Sequence, residues 1–179
     1  MSGKIQISSD HLLLLINDVL DMTKLEAGYI ELEHVPFLIT DVLHVVSTLD
    51  ETKIGQMNLH CESHRGKIAH PRLIGSPMHL RQVLLNLFSN AVKYNKPDGR
   101  IDTYAEEISC DDTHAVLQFK IADTGVGMSH EFMEYQLFEP FAQEKHDART
   151  QYRGTGLGMA IVKELVETMG GTITVEEHG

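Results

Sequence analysis

Residues 81–95, which read RQVLLNLFSNAVKYN, decide the fold of this chain. From the residue just before this stretch onward, apolar side chains recur at helical spacing and mark one buried face: Leu80, Val83, Leu84, Leu87, Phe88 and Ala91. Asn86, Asn90 and Lys93 follow each other at i, i+4 and i+7, so they form a polar stripe beside that face. Such a stripe suits a polyanion with a bound metal, because an amide oxygen is a hard ligand for Mg²⁺ and lysine attracts phosphate. The alternative is an ordinary amphipathic helix with its polar residues at the solvent edge, which this segment alone favours.

The segments around this helix predict where it begins and ends. Gly75-Ser76-Pro77 indicates a helix start, with Ser76 as the cap and Pro77 at the first helical position. Pro97-Asp98-Gly99 closes it. Two strands then follow, at residues 100–108 and 115–122, and the turn at Asp111-Asp112 predicts that they pair as a hairpin.

The sequence DTGVG, residues 123–127, comes where the second of these strands ends. Asp123 is a carboxylate at a strand end, and the glycines at 125 and 127 allow a ligand to approach the backbone closely. A carboxylate accepts a hydrogen bond from the exocyclic amine of adenine, whereas guanine has a carbonyl at that position and is rejected. The alternative is a simple glycine turn with aspartate as its first residue.

A second glycine-rich stretch, GTGLG at residues 154–158, leads into a predicted helix at 159–169. Backbone N–H groups at such a helix start suit a triphosphate, although the pattern is neither the Walker nor the Rossmann motif. The polar stretch before it, residues 142–153, is predicted to be a loop, preceded by the corner FEPF at 138–141. Lys145, Arg149 and Arg153 in this loop either cover phosphates or are simply solvated.

The other segments give weaker patterns. Residues 9–27 predict a helix whose wide apolar face contacts a second chain or a further helix, or else packs on its own domain. A short edge strand at 29–35 is ended by Pro36, and an amphipathic helix runs from Thr40 to Leu49. Further strands are predicted at residues 58–62, 72–74 and 172–175.

Composition limits the functional classes. The chain has 179 residues and a net charge of −11, which argues against a nucleic-acid or anionic-membrane surface. Cys61 and Cys110 are too few for a disulfide framework, so a reducing cytoplasm is the expected compartment. No apolar run in the sequence has the length of a membrane span.

Four motifs taken together resemble one family. NLFSNAVKY, DTGVG, FEPF and GTGLGMAI, in this order, resemble the N, G1, F and G2 boxes of the ATP-binding domain of sensor histidine kinases, which belongs to the GHKL group. INDVLDMTKLEAGYIELE resembles the end of the dimerisation helix and the linker of such kinases. The resemblance implies an α+β fold, a two-layer α/β sandwich with an N-terminal helical remnant. It further implies a dimerisation segment at residues 1–28 and an ATP-binding domain at 29–179 whose last strand is truncated.

The resemblance also implies a role for each motif residue. Asn90 would be the ligand of Mg²⁺, with Asn86 assisting the metal or the phosphates. Lys93 would contact phosphate, and Tyr94 would lie against the sugar or the base. Asp123 would select adenine. The pocket around the base would be shaped by Gly125 and Gly127, and the lid hinge with its phosphate contacts would comprise Gly154, Thr155, Gly156, Leu157 and Gly158.

The implied activity is transfer of the ATP γ-phosphoryl to a histidine and onward to an aspartate of a response-regulator receiver domain. None of the eleven histidines fits the acceptor motif, so the acceptor is expected upstream in a homodimeric parent, and the chain alone binds ATP without phosphorylating itself. Asn86 stands where hydrolytic relatives have a glutamate that activates water, which favours phosphoryl transfer over hydrolysis. The alternatives are a nucleotide-binding regulatory module without kinase activity and a GHKL serine kinase or ATPase.

Overall fold

A computed structural model describes residue 23 and residues 30–47, 51–144 and 154–177, the side chains of residues 46–47 and 51–52 excepted. The chain divides into two compact units, residues 32–127 and residues 1–31 with 128–179, and each is described by itself. Apart from Thr23, which is helical, the predicted helix at 9–27 lies outside the described residues. The predicted boundary between residues 28 and 29 therefore stays a prediction.

Within residues 32–127, the part of the chain that the structure describes contains three helices and five strands. The helices are α1 (Ile39–Ser47), α2 (Glu51–Met57) and α3 (Pro77–Lys93), and the strands are β1 (Val35–Leu38), β2 (His60–Arg65), β3 (Arg72–Gly75), β4 (Arg100–Cys110) and β5 (Ala115–Asp123). The strands form an antiparallel pair, β1–β3, and a mixed sheet in the order β2-β4-β5. In that sheet β2 and β4 are parallel, whereas β4 and β5 form the antiparallel hairpin that the sequence predicts.

The core of this unit lies between the helices and one face of the mixed sheet. Alternation along β4 buries Ile101 and Ala105 and leaves Tyr104 exposed, as expected for a sheet covered on one side. The core cluster consists of Ile39, Val42, Leu59, Leu84, Phe88, Ala91, Val92 and Ile101. Each fully buried aliphatic side chain stabilises the fold by roughly 2 kcal/mol relative to exposure. The apolar face predicted for residues 81–95 is therefore the face that holds α3 in place.

The first predicted strand is placed wrongly. Ile30 to His34 pair with no other strand among the described residues, and β1 begins instead at Val35. Pro36, predicted to break the strand, lies inside it, opposite Ile74 of β3. Because β1 has only β3 as a partner among the residues that the structure describes, the missing N–H of proline can face away from it.

One helix was not predicted, and one predicted helix cap is wrong. Helix α2 was not predicted, because it contains Gly55 and lacks a continuous apolar stripe. Ser76 precedes α3 as predicted, but its side chain makes no cap hydrogen bond. Its hydroxyl lies 2.6 Å from His79 Nδ1 and accepts a hydrogen bond from the backbone N–H of Glu33 at 3.2 Å. This serine therefore connects the start of α3 to the chain before β1.

The second unit contains α4 (His130–Tyr135) and α5 (Gly158–Thr168). Ser129 caps α4 by accepting a hydrogen bond from the backbone N–H of Phe132 at 3.2 Å. The strand predicted at residues 172–175 is wrong, since residues 171–177 join no sheet within the described part of the chain. Alternation in the sequence indicates an extended segment but does not supply a pairing partner. Among the described helices, none has the length and apolarity needed to cross a membrane.

The carboxyl group of Asp102 on β4 provides an acid-sensitive contact. Arg100 Nε donates to Asp102 Oδ2 at 2.6 Å and His64 Nε2 lies 3.0 Å from Oδ1, and these hydrogen bonds lower the pKa of Asp102 from 3.8 to about 2. Because the folded-state pKa is lower than the unfolded one, this stabilisation is present above about pH 4 and is lost as the pH falls toward 2. We expect Arg100→Gln to raise the pKa of Asp102 toward its ordinary value, measured by NMR titration.

The hairpin turn supplies the control for this titration. The pKa of Asp111 is also lowered to about 2, but by the backbone N–H groups of Thr113 and His114. It should stay unchanged in the Arg100→Gln variant. An Asp102 pKa that does not move would contradict the role assigned to Arg100.

Candidate nucleotide site

The polar stripe on α3 lies beside the buried face of the helix, as the sequence predicts. Asn86, Asn90 and Lys93 are each partly buried. Within the part of the chain that the structure describes, neither asparagine side chain makes a hydrogen bond. Lys93 Nζ donates to Tyr94 Oη at 2.8 Å and lies 4.5 Å from the centre of its ring. The stripe thus presents two amides and one cation to a ligand.

Asp123 is the last residue of β5 and its side chain is exposed. Its Oδ1 accepts a hydrogen bond from the backbone N–H of Gly125 at 2.8 Å, which fixes the carboxylate over the turn that follows. The other oxygen, Oδ2, is the atom left to accept a hydrogen bond from a ligand. Gly127 has a φ of 71°, a conformation that glycine adopts without strain.

The structure brings this turn together with the end of α3. The backbone N–H of Val126 donates to the carbonyl oxygen of Tyr94 at 3.0 Å. A Cβ atom at Gly125 would lie 2.5 Å from that same oxygen and 2.6 Å from Asp123 Oδ1, so only glycine fits. The helix that carries the predicted metal and phosphate residues is therefore in direct contact with the turn that follows the predicted adenine residue, Asp123.

The predicted hinge, residues 154–158, lies in the other unit and is tied to the FEPF corner. The backbone N–H of Phe141 donates to the carbonyl oxygen of Gly156 at 2.9 Å, and Gln143 Nε2 donates to that of Gly154 at 2.6 Å. Leu157 is fully buried, and its N–H donates to Thr155 Oγ1 at 3.2 Å. These contacts hold the two ends of the loop close together.

Parts of the loop itself lie outside the described residues. They include the three cations predicted to cover phosphates, Lys145, Arg149 and Arg153. At the helix that follows, Gly158 is the first residue of α5, and a Cβ atom there would meet no described atom within 4 Å. The phosphate contacts of this helix start stay a prediction.

The donor set on α3 fits a magnesium ion. Two half-buried amides without a hydrogen-bond partner among the described residues offer hard, neutral oxygens one helical turn apart. A neutral set leaves the charge of the ion to be balanced by phosphate oxygens. The roles of Asn86 and Asn90 stay predictions, and the amides are free to take them.

The histidines show no metal-binding spacing in the sequence, but the fold brings two mixed clusters of possible metal ligands together. His70, Glu107 and Cys110 place ligand atoms within 4.8 Å of one another, and so do Glu62, His64 and Asp102. His70 Nδ1 already lies 2.9 Å from Glu107 Oε1, and Arg100 already supplies a cation to the second cluster. These clusters depend on how distant segments pair in the sheet. No local sequence pattern therefore indicates them.

A cavity of about 160 Å³ lies elsewhere in the unit of residues 32–127. It is lined by apolar side chains that include Leu43, Ile54, Phe88 and Phe119, and by polar side chains of β2, β4 and β5. None of the predicted nucleotide-site residues lines it. It therefore reflects packing between the helices and the sheet and is separate from the candidate site.

Comparison with known proteins defines the family. Residues 75–179 match the family model described as histidine kinase-, DNA gyrase B-, and HSP90-like ATPase. The chain is 37% identical over 174 residues to the sensor protein GacS of Pseudomonas syringae pv. syringae, covering 97% of this chain and 19% of GacS. Over 170 residues it is 36% identical to the signal transduction histidine-protein kinase BarA of Escherichia coli K12, covering 95% of this chain and 18% of BarA.

Solved structures agree with this result. Full-length ShkA in complex with AMPPNP has a TM-score of 0.74 and 32% sequence identity, covering 93% of this chain and 33% of ShkA. The histidine kinase AdeS of Acinetobacter baumannii has the same TM-score at 23% identity, covering 98% of this chain and 77% of AdeS, and shows likeness of fold alone.

The chain belongs to the family of histidine kinase-, DNA gyrase B-, and HSP90-like ATPases. The predicted fold class, an α/β sandwich of this family, is thereby confirmed, as is the resemblance to sensor histidine kinases. The chain spans about a fifth of the length of the curated relatives it matches.

Proposed function

We propose that this chain is the ATP-binding catalytic domain of a sensor histidine kinase. It would present the γ-phosphoryl group of ATP to a histidine outside the chain, from which the group passes to an aspartate of a response-regulator receiver domain in the cytoplasm. The parent would be a homodimer through its dimerisation helices. The observation that carries this proposal is the joining of α3 and the turn after β5 at one place, through the hydrogen bond from Val126 to Tyr94.

Each residue has a defined task in this mechanism. Asp123 would hold the base through Oδ2, since its Oδ1 is engaged by Gly125. Lys93, positioned over the ring of Tyr94, would offset phosphate charge. Asn90, with Asn86 one turn before it, would hold Mg²⁺, which when bound supplies charge neutralisation on the triphosphate. The chain thus orients the nucleotide, and catalysis comes from positioning and electrostatics.

Exchange of one atom at Asp123 tests the proposed base recognition. In Asp123→Asn, Oδ1 can keep its bond to Gly125, which places an NH₂ group where Oδ2 was. A donor there opposes the adenine amine but matches the guanine carbonyl. We expect Mg-ATP affinity to fall by about 10- to 100-fold, the worth of a hydrogen bond to a charged group, with GTP gaining relative to ATP. Titration calorimetry with both nucleotides measures this.

The control is Asp112→Asn in the exposed turn between β4 and β5, which should bind both nucleotides as the unmodified chain does. If the unmodified folded chain does not bind Mg-ATP at all, the proposed function is wrong. If the unmodified chain binds Mg-ATP, but Asp123→Asn and Asp112→Asn bind ATP and GTP with the same ratio of affinities, Asp123 is not the residue that selects the base.

A change at Asn86 tests why this chain transfers a phosphoryl group rather than hydrolysing ATP. Asn86 is neutral and cannot act as a general base, whereas Asn86→Glu would place a carboxylate one turn before Asn90. We expect a higher basal rate of phosphate release from ATP, by about tenfold or more. The control is Asn86→Gln, because glutamine has the length of glutamate but no charge. No increase with intact ATP affinity would contradict this role of Asn86.

The kinase step needs the acceptor domain of the parent protein. Mixed with this chain and labelled ATP, that domain should become labelled on its histidine, and the label should pass to a receiver domain. ATP binding without any transfer would instead indicate a regulatory nucleotide-binding module.

A further inference from the structure

Asn95 lies two residues after the end of α3 and has a buried side chain. It is not among the residues predicted to contact the nucleotide. It is only 4% exposed. Its Nδ2 donates to the carbonyl oxygen of Arg100 at 3.2 Å, while its Oδ1 accepts from the backbone N–H of Lys96 at 3.0 Å and from Thr124 Oγ1 at 3.4 Å. One amide therefore connects the end of α3, the start of β4 and the turn after β5.

The surrounding backbone is arranged around this amide. Thr124 and Arg100 exchange two hydrogen bonds, from Thr124 N to the Arg100 carbonyl at 3.1 Å and from Arg100 N to Thr124 Oγ1 at 2.9 Å. A Cβ atom at Gly99 would collide with Asn95 Oδ1, so the glycine provides the space that the amide occupies. With Val126 bonded to Tyr94, the turn is fixed to the end of α3 at two places.

We infer that Asn95 is a positioning residue that sets the distance between the base-binding and the phosphate-binding parts of the nucleotide site. The inference rests on the proposed function. Asn90 and Lys93 lie on α3 itself, so their placement does not require Asn95. Asp123 lies one residue before Thr124, whose hydroxyl donates to the Asn95 amide. The bonds that converge on this amide therefore act together with the pairing of Asp123 with Ile101 and the bond from Val126 to Tyr94 in placing the carboxylate relative to α3.

A purely structural role predicts a different result from a positioning role, and two ligands separate them. Inorganic triphosphate with Mg²⁺ carries the charges that α3 would meet but has no base. If Asn95 only stabilises the fold, its loss weakens binding of Mg-ATP and of Mg-triphosphate by the same factor. If it positions the turn, only Mg-ATP binding is weakened.

The experiment compares Asn95→Ala and Thr124→Val with the unmodified chain, using titration calorimetry with both ligands and a thermal melt of each protein. Thr124→Val keeps the shape of an exposed side chain and removes the hydroxyl that donates to Asn95 and accepts from the backbone N–H of Arg100. It remains informative if Asn95→Ala does not fold. Lys96→Ala is the matched control, because it alters an exposed side chain and keeps the backbone N–H that Asn95 accepts.

We expect about a tenfold loss of Mg-ATP affinity in the folded variants, an unchanged affinity for Mg-triphosphate, and no change in Lys96→Ala. Equal loss for both ligands, or no loss for ATP, would overturn the inference while leaving the proposed function intact. Failure of the unmodified chain to bind Mg-ATP would overturn the proposed function, so the two failures are distinguishable.

Discussion

Asn90→Ala should reduce the affinity of this chain for Mg-ATP by about 100-fold, which corresponds to about 2.8 kcal/mol. The amide lies in the middle of the polar stripe on α3, partly buried and without a hydrogen-bond partner among the described residues. Its removal therefore deletes the proposed metal ligand without breaking a contact that the described structure contains. The helix should keep its stability, since alanine has the higher helix propensity.

Chelation of the metal distinguishes this role from a direct contact with phosphate. With EDTA present, the unmodified chain and Asn90→Ala should bind ATP with equal, weak affinity, because the side chain acts only through the ion. Ser89→Ala, which changes the adjacent exposed position of the same helix, is the control and should bind Mg-ATP normally. A defect that persists at full size in EDTA would contradict the assignment of Asn90 as a metal ligand.

Features with local signals were predictable from the sequence. Helix α3 has a clear period of apolar residues, and the β4–β5 hairpin has alternation on both sides of a turn, so the start of α3 and the bounds of both strands were placed within two residues. The helix ends at Lys93, earlier than the predicted stop at residues 97–99. The candidate site residues were predicted from motifs, each contained in a short stretch of chain. For the same reason the family was identifiable before the fold was known.

The remaining features depend on contacts between distant residues. The hydroxyl of Ser76 was predicted to cap α3, but it accepts instead from the backbone N–H of Glu33, 43 positions away. Pro36 lies within a strand because β1 has a partner on one side only among the described residues, and that partner, β3, is distant in the sequence. Asn95 looked like an ordinary residue after a helix, since its partner Thr124 lies 29 positions further along. Sequence patterns thus identified the residues expected to contact the ligand but not the side chain that holds them in register.

Gly156→Ala should have the second largest effect, because two independent penalties act at this position of the predicted hinge. Gly156 has a φ of +73°, which costs a residue with a Cβ atom about 1 kcal/mol. In addition, a Cβ atom would lie 2.7 Å from the carbonyl carbon of Phe141 and 2.8 Å from its Cα, and backbone atoms cannot rotate away. We expect a lower melting temperature and about a tenfold or greater loss of ATP affinity, since the FEPF corner must separate from residues 154–158.

Gly170→Ala separates backbone strain from this collision. Gly170 has a φ of +77°, but a Cβ atom there meets nothing within 4 Å, so the variant has the strain without the clash. It should lose about 1 kcal/mol of stability and keep its ATP affinity. If Gly156→Ala resembled Gly170→Ala in calorimetry with Mg-ATP, the hydrogen bond from Phe141 to Gly156 would be a local turn contact without influence on nucleotide binding. If only Gly156→Ala loses affinity, the contact between the FEPF corner and the hinge is what keeps the glycine-rich segment in its binding conformation.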